Sequence, residues 1–190
     1  MLKRFTPIIV LVALCWAVFV VNNLLLNGVL NQFGIIPRQI SGLPGIILAP
    51  LLHGSLHHIL ANTVPLFILG AILCARSQRE FYFVTLAGTV FGGVLIWLFA
   101  RTANHLGASG LIFCYFGYLA SLAFFTRTFG TLVLSILCIL FYGGMVKGIL
   151  PMSAAISWES HAAGLIAGIV LAWLSSNETK KRRGVLAVSS

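Results

Sequence analysis

Seven polar or ionisable side chains interrupt the long apolar stretches of this sequence. They are His53, His57, His58, Asn62, Ser109, Glu159 and His161. Polar side chains are costly inside a membrane, so their presence there marks candidate functional positions. A histidine within reach of a serine hydroxyl is the minimal activated nucleophile, which makes Ser109 and His161 a candidate pair. The chain contains no aspartate, so a Ser-His-Asp triad is excluded.

The residues around Ser109 favour the same chemistry. Gly107-Ala108-Ser109-Gly110 lets other backbone segments approach closely, and it stands where an apolar helix is predicted to begin. The first turn of a helix offers free N–H groups and the positive end of the helix dipole, which stabilise a developing oxyanion. His58 and Asn62 are four residues apart and therefore share a helical face, so both could add donors to that site.

Composition indicates the elements that must position these residues. The chain has 190 residues, of which 59% are hydrophobic and 8% charged, and its mean hydropathy is +1.05. A soluble globule could not bury so much apolar surface, so we predict an all-α membrane protein with a single membrane domain over 1–190. The windows long enough to span a bilayer are about 7–27, 57–75, 81–100, 109–126, 130–149 and 154–175.

Basic residues predict the orientation of this six-helix bundle. The net charge of +9 arises from residues between the apolar segments, so it is interpreted as a topology signal and not as a nucleic-acid-binding surface. With the N-terminus in the cytoplasm, nine Lys and Arg fall on the inner side and three on the outer side. We therefore predict that both termini are cytoplasmic, with 176–190 as a basic cytoplasmic tail.

Two further segments need a separate interpretation. The connection 28–56 is apolar but too interrupted to span, so it is predicted to lie in or dip into the outer interface, with an ordinary surface loop as the alternative. The first window has the charged start of a signal peptide, but its apolar run is too long and lacks a small-residue cleavage site. It is therefore interpreted as a retained first span.

This topology brings the polar residues together at one shallow depth, because spans two, four and six all start at the outer face. His58 and Asn62 lie in the first turns of span two, and Ser109 is the first residue of span four. His161 is predicted about two turns into span six, roughly 12 Å deep at the rise of an α-helix. Gly164 and Gly168 form a small-residue stripe that would let span six approach span four.

In three separate spans these motifs resemble those of the rhomboid family of intramembrane serine proteases. The motifs are Gly107-Ala108-Ser109-Gly110, His161-Ala162-Ala163-Gly164 and His53-x4-His58-x3-Asn62, and the resemblance extends over about residues 30–170. The family resemblance implies a bacterial six-span enzyme of the inner membrane that uses water and no cofactor. Its substrates would be peptide bonds in or beside the transmembrane segments of other proteins.

By this resemblance Ser109 is the nucleophile, and His161 is the general base and then the general acid. His58, Asn62 and the Ser109 backbone N–H would form the oxyanion hole, with His53 in a supporting position. Some bacterial members have tyrosine where this chain has Phe113, which keeps the ring and loses the hydroxyl. The chain also lacks a Trp-Arg pair in its first outer loop.

Alternative interpretations assign these residues other roles. His53 and His57 are four residues apart and could begin a metal site, although the intervening glutamate of H-E-x-x-H is missing. A transporter or a catalytically silent relative that binds membrane clients is a further alternative. Glu159 is predicted to face away from His161, His57 to be interfacial, and His105 to have no chemical role. The four cysteines are interpreted as buried apolar residues.

Overall fold

The computed structural model describes residues 2–151 and 157–188, and the regular elements among them are helical. The α-helices are α1 (Thr6–Leu24), α2 (Gly45–Leu48), α3 (Leu56–Arg76), α4 (Gln78–Phe99), α5 (Ser109–Thr126), α6 (Phe129–Tyr142) and α7 (Trp158–Val188). The 3-10 segments are Leu2–Arg4, Val29–Phe33, Ile40–Gly42, Ala49–Leu51 and Gly143–Ile149. The predicted all-α fold class is confirmed.

Five helical segments in the described residues are long and apolar enough to cross a membrane. They are α1, α3, α4, α5, and α6 taken together with the 3-10 segment that follows it. The predicted sixth window, 154–175, begins within 152–156, outside the described residues, and continues in α7. The six-span count and the orientation stay predictions. Because α7 begins at Trp158, His161 is its fourth residue and lies in its first turn, so the predicted position two turns into the helix is wrong. Its depth in a membrane stays a prediction.

Helix α5 forms the centre of the bundle. Every residue from Leu111 to Leu119 is buried, as expected for a helix that is apolar around its whole circumference. Its most extensive contact is with α7, and it also packs against α3, α4 and α6. A Cβ atom at Gly164 would overlap the carbonyl oxygen of Gly110, and one at Gly168 would overlap that of Cys114. Glycine at these two positions allows α7 to lie directly against the backbone of α5.

The surface around the circumference of the bundle is apolar, as a lipid environment requires. Along α6, for example, Leu132, Ile136 and Leu140 are exposed. Helix ends are closed by local hydrogen bonds, which matter where water is scarce. The Ser77 hydroxyl accepts from the N–H of Glu80 at the start of α4, and Thr128 with Thr131 forms a capping box at the start of α6.

The connection 28–56 is an ordered series of short helical segments packed against α4. Arg38 secures it, because its guanidinium donates to the carbonyl oxygens of Leu98 (3.2 Å) and Ala100 (2.8 Å) at the end of α4. Ile35 and His105 exchange backbone hydrogen bonds of 2.8 and 2.9 Å. The connection is therefore tied to the segment that leads into Ser109. The side chain of one arginine, Arg38, fastens the connection to the end of α4 without a Trp-Arg pair.

Candidate active site

The turn before α5 requires glycine at position 107. Gly107 has a φ of +114°, which L side chains rarely adopt, and its N–H donates to the Ala49 carbonyl oxygen at 2.9 Å. Ala108 is the N-cap, and the half-buried Ser109 is the first helical residue. The serine hydroxyl thus lies at a helix start, where backbone N–H groups have no partner within the helix.

The start of α3 lies directly against this turn. A Cβ atom added at Gly107 would lie 2.6 Å from the His58 ring and 3.6 Å from Nδ2 of Asn62. The Asn62 side chain is buried, and its Nδ2 has no hydrogen-bond partner among the described residues. Buried amide groups are almost always paired, so an orphaned donor at this position needs an explanation. It lies beside the turn at Gly107 that leads into Ser109, and it is free to donate to an added oxygen atom.

His53 supports the same turn from the connection before α3. Its side chain is buried, its Nε2 accepts from the Ala108 N–H at 3.4 Å, and its ring meets that of His58 edge-on with centroids 5.0 Å apart. Burial, with a contribution from the neighbouring His58, lowers the pKa of His53 to about 4. A neutral His53 is the form that can accept from Ala108.

His161 approaches the site from α7. Its ring stacks on Phe113, with centroids 4.3 Å apart and an angle of 9° between the planes. Its Nδ1 lies 2.8 Å from the carbonyl oxygen of Gly148 in the 3-10 segment Gly143–Ile149. Helices α3, α5 and α7 thus bring their histidines and the serine to one end of the bundle.

Ser109 lies on the side of α5 that faces His161. Phe113 is four residues after Ser109 and therefore on the same helical face, and Phe113 carries the His161 ring. No hydrogen bond joins Ser109 to His161 within the described residues. Catalytic hydrogen bonds are often long without substrate and tighten in the reactive complex, so this arrangement is compatible with a Ser-His pair.

His105 has a structural role that its sequence position did not reveal. Its Nε2 donates to the Arg101 carbonyl oxygen at 2.9 Å, so its Nδ1 accepts from the Ser157 hydroxyl at 2.5 Å. Ser157 also lies 2.6 Å from the Ser160 hydroxyl and accepts from the Ser160 N–H. This chain of hydrogen bonds holds the start of α7 against the segment that precedes Ser109.

Glu159 and His57 are the two remaining candidates. Glu159 is buried and pairs with Arg101 at 3.5 Å, while its second carboxylate oxygen has no partner in the described part of the chain. His57 is exposed. Across residues 2–151 and 157–188, no group of three or more His, Cys, Asp or Glu side chains is arranged to hold a metal ion.

A small cavity lies beside the turn at Gly107. Its volume is about 30 Å³, and it is bordered by Thr89, His105, Gly110 and Ser160 together with apolar side chains of the first connection and α4. That volume is enough for one or two water molecules, and the polar atoms at its edge could hold them. The cavity therefore offers a position for water next to the start of α5.

This architecture defines a multi-pass integral membrane protein with a polar site at one end of the bundle. The family model for the Rhomboid domain matches residues 41–178. The chain therefore belongs to the rhomboid family, whose members are serine intramembrane proteases.

The curated relatives that the chain resembles come from mycobacteria. It is 34% identical over 189 residues to uncharacterized proteins of Mycobacterium tuberculosis and of Mycobacterium bovis, covering 95% of this chain and 78% of each relative. An uncharacterized protein of Mycobacterium leprae is 32% identical over 187 residues, covering 94% of this chain and 74% of the relative. The similarity thus includes nearly all of the chain.

Proposed function

We propose that this chain is an intramembrane serine endopeptidase that cleaves other membrane proteins in or near their transmembrane segments with a Ser109–His161 dyad. The observation that carries this proposal is the stack of His161 on Phe113, one helical turn from Ser109. The stack holds the His161 imidazole against the same face of α5 on which Ser109 lies. Family membership supplies the reaction class.

In the proposed mechanism the Ser109 hydroxyl attacks the carbonyl carbon of the scissile peptide bond while Nε2 of His161 takes its proton. The imidazolium then gives that proton to the leaving amine, which produces an acyl-enzyme. Water, activated by the same imidazole, attacks the ester and releases the new carboxyl end. Neither step needs a cofactor, and the cavity beside Gly107 could store the water.

The oxyanion of each tetrahedral intermediate would be bound by the Ser109 backbone N–H, Nδ2 of Asn62 and the His58 ring. The unpartnered state of Asn62 supports this role, because an oxyanion would supply the missing acceptor. His53 would position the turn through Ala108. Donors that are already in place lower the barrier because they do not have to reorganise during the reaction.

Substrate access and orientation follow from the membrane location. The exposed apolar surface of the bundle suits lateral entry of a client helix from lipid. We further propose that both termini face the cytoplasm of a bacterial inner membrane and that the site opens to the outer side. Charge distribution supports this orientation, because nine of the twelve basic residues then lie on the inner side.

A cleavage assay in lipid vesicles tests the proposal. The purified chain should cut a single-span model protein, and Ser109→Ala should lower the rate by at least about 1,000-fold, as for other serine nucleophiles. Ser121→Ala is the matched control, because Ser121 lies on the same helix but bonds only to carbonyl oxygens of its own turn. Full activity of Ser109→Ala would contradict the dyad, and a folded chain that binds but never cuts would indicate a silent client-binding protein.

A further inference from the structure

The contact between His161 and Gly148 fixes the protonation of the imidazole. A carbonyl oxygen can only accept a hydrogen bond, so Nδ1 of His161 must carry the proton in the 2.8 Å contact. In the neutral ring Nε2 then has the free lone pair that a general base needs. We propose that the Gly148 carbonyl oxygen does for His161 what the carboxylate does in a serine protease triad. This inference rests on the proposed function.

No carboxylate of the described residues bonds to Nδ1 of His161, which leaves this position to the backbone. Glu159 pairs with Arg101. Glu80 pairs with Arg76 and accepts from Tyr118 at the opposite end of the bundle. Glu178 follows His161 by seventeen residues along α7, roughly 25 Å at the rise of an α-helix. A backbone carbonyl also carries no net charge, so it orients the ring without burying another ion.

Glycine at position 148 permits this close approach. A Cβ atom there would lie 3.0 Å from Nδ1 of His161 and 3.3 Å from Cζ of Phe113, tighter than most real Cβ contacts. The imidazole therefore has Phe113 on its face and the Gly148 backbone at its edge. A side chain at position 148 would push the carbonyl oxygen away from Nδ1 or displace the stacked rings.

The segment that supplies the carbonyl is not part of a packed helix. It continues α6 as a 3-10 helix of seven residues, Gly143–Ile149, and 3-10 runs of that length are uncommon. The segment has glycine at positions 143, 144 and 148 and is half-buried to exposed. The tautomer of the catalytic base thus depends on a segment outside α7, and movement of that segment would release Nδ1.

The tautomer can be read directly in the full chain. Side-chain ¹⁵N NMR of the histidine-labelled protein in detergent micelles has five histidines to resolve, and the signal missing from His161→Gln identifies His161. The inference predicts a protonated Nδ1 and an unprotonated Nε2 at neutral pH. A dominant Nε2–H tautomer in the unmodified chain would overturn it.

Two alanine variants distinguish an effect on the position of the His161 ring from a general effect on the 3-10 segment. Gly148→Ala should shift His161 toward the Nε2–H tautomer and slow labelling of Ser109 by a small fluorophosphonate about tenfold, the loss expected for one hydrogen bond. Gly144→Ala is the matched control in the same segment, because its Cβ would meet nothing within 4 Å. It should leave both the tautomer and the labelling rate unchanged.

The paired readouts keep the two proposals distinguishable. Slower labelling in Gly148→Ala with an unchanged tautomer would overturn the inference, and so would a shifted tautomer with unchanged labelling. If the unmodified chain is not labelled at all, the proposed function fails. The NMR spectrum then still shows whether Gly148 holds Nδ1–H.

Discussion

Polar groups lie beside both the middle and the first turn of α5 in an apolar bundle, but the two sets of groups differ in how their hydrogen bonds are satisfied. Toward its C-terminal half, the Tyr118 hydroxyl donates to Glu80 at 2.9 Å and lies 3.2 Å from the Ser175 hydroxyl, and Glu80 also pairs with Arg76 at 2.9 Å. At the start of α5, Nδ2 of Asn62 is buried without a partner among the described residues.

The difference distinguishes a structural polar cluster from a candidate reactive one. Tyr115 follows the first pattern, because its hydroxyl bonds to Thr85 at 2.6 Å and is fully buried. A satisfied network stabilises the fold and has no capacity left for a ligand. An unsatisfied donor beside the turn that leads into a half-buried serine has such capacity. Polarity within a membrane protein is therefore a weaker indicator of function than unmet hydrogen-bonding capacity.

Within this comparison, the larger effect on activity should come from removing the unpartnered donor of Asn62. Asn62→Ala should lower the cleavage rate about 100-fold, the cost of one oxyanion-hole donor, with little change in thermal stability. Cleavage assays and melting curves on the same preparations check this. Val64→Ala is the control, because Val64 is an exposed residue of the same helix. If Asn62→Ala instead lowers the melting temperature and keeps full activity, the polar groups at the start and at the middle of α5 do not differ as described.

At the middle of α5 we expect a smaller effect, on stability and not on activity. Tyr118→Phe removes the hydroxyl that donates to Glu80, so it should destabilise the chain by about 1–3 kcal/mol and leave the cleavage rate within about twofold. Thermal unfolding in micelles measures the loss. Tyr82→Phe on α4 is the matched control, since Tyr82 is exposed. A large loss of activity in Tyr118→Phe at unchanged stability would contradict the structural role.

Some features of the fold follow from sequence because they depend on length and apolarity alone. Uninterrupted apolar runs predict helices of spanning length, and five of the predicted windows contain such helices. The beginning of a helix at Ser109 follows from the small residues Gly107 to Gly110. The all-helical class and the rhomboid family could therefore be predicted, and both are confirmed.

Other features depend on contacts between distant parts of the chain, which the sequence does not show directly. His105 positions the start of α7 through Ser157, which lies fifty-two residues away in sequence. The start of α7 at Trp158 follows from a cap by Ser157, which apolarity within the window does not reveal. The role of Gly148 involves a backbone oxygen, which every residue has. The glycines at positions 143, 144 and 148 were the available hint that the fifth predicted window ends in an irregular segment.

Covalent labelling tests the central claim, that Ser109 is a nucleophile activated by His161, most directly. The reconstituted chain is treated with a fluorophosphonate, and the modified residue is located by peptide mass mapping, with and without a metal chelator. We predict a single adduct on Ser109 that forms at least about 1,000-fold more slowly in His161→Ala and at an unchanged rate with chelator. Labelling of His161→Ala at the rate of the unmodified chain, or loss of labelling with chelator, would contradict the account.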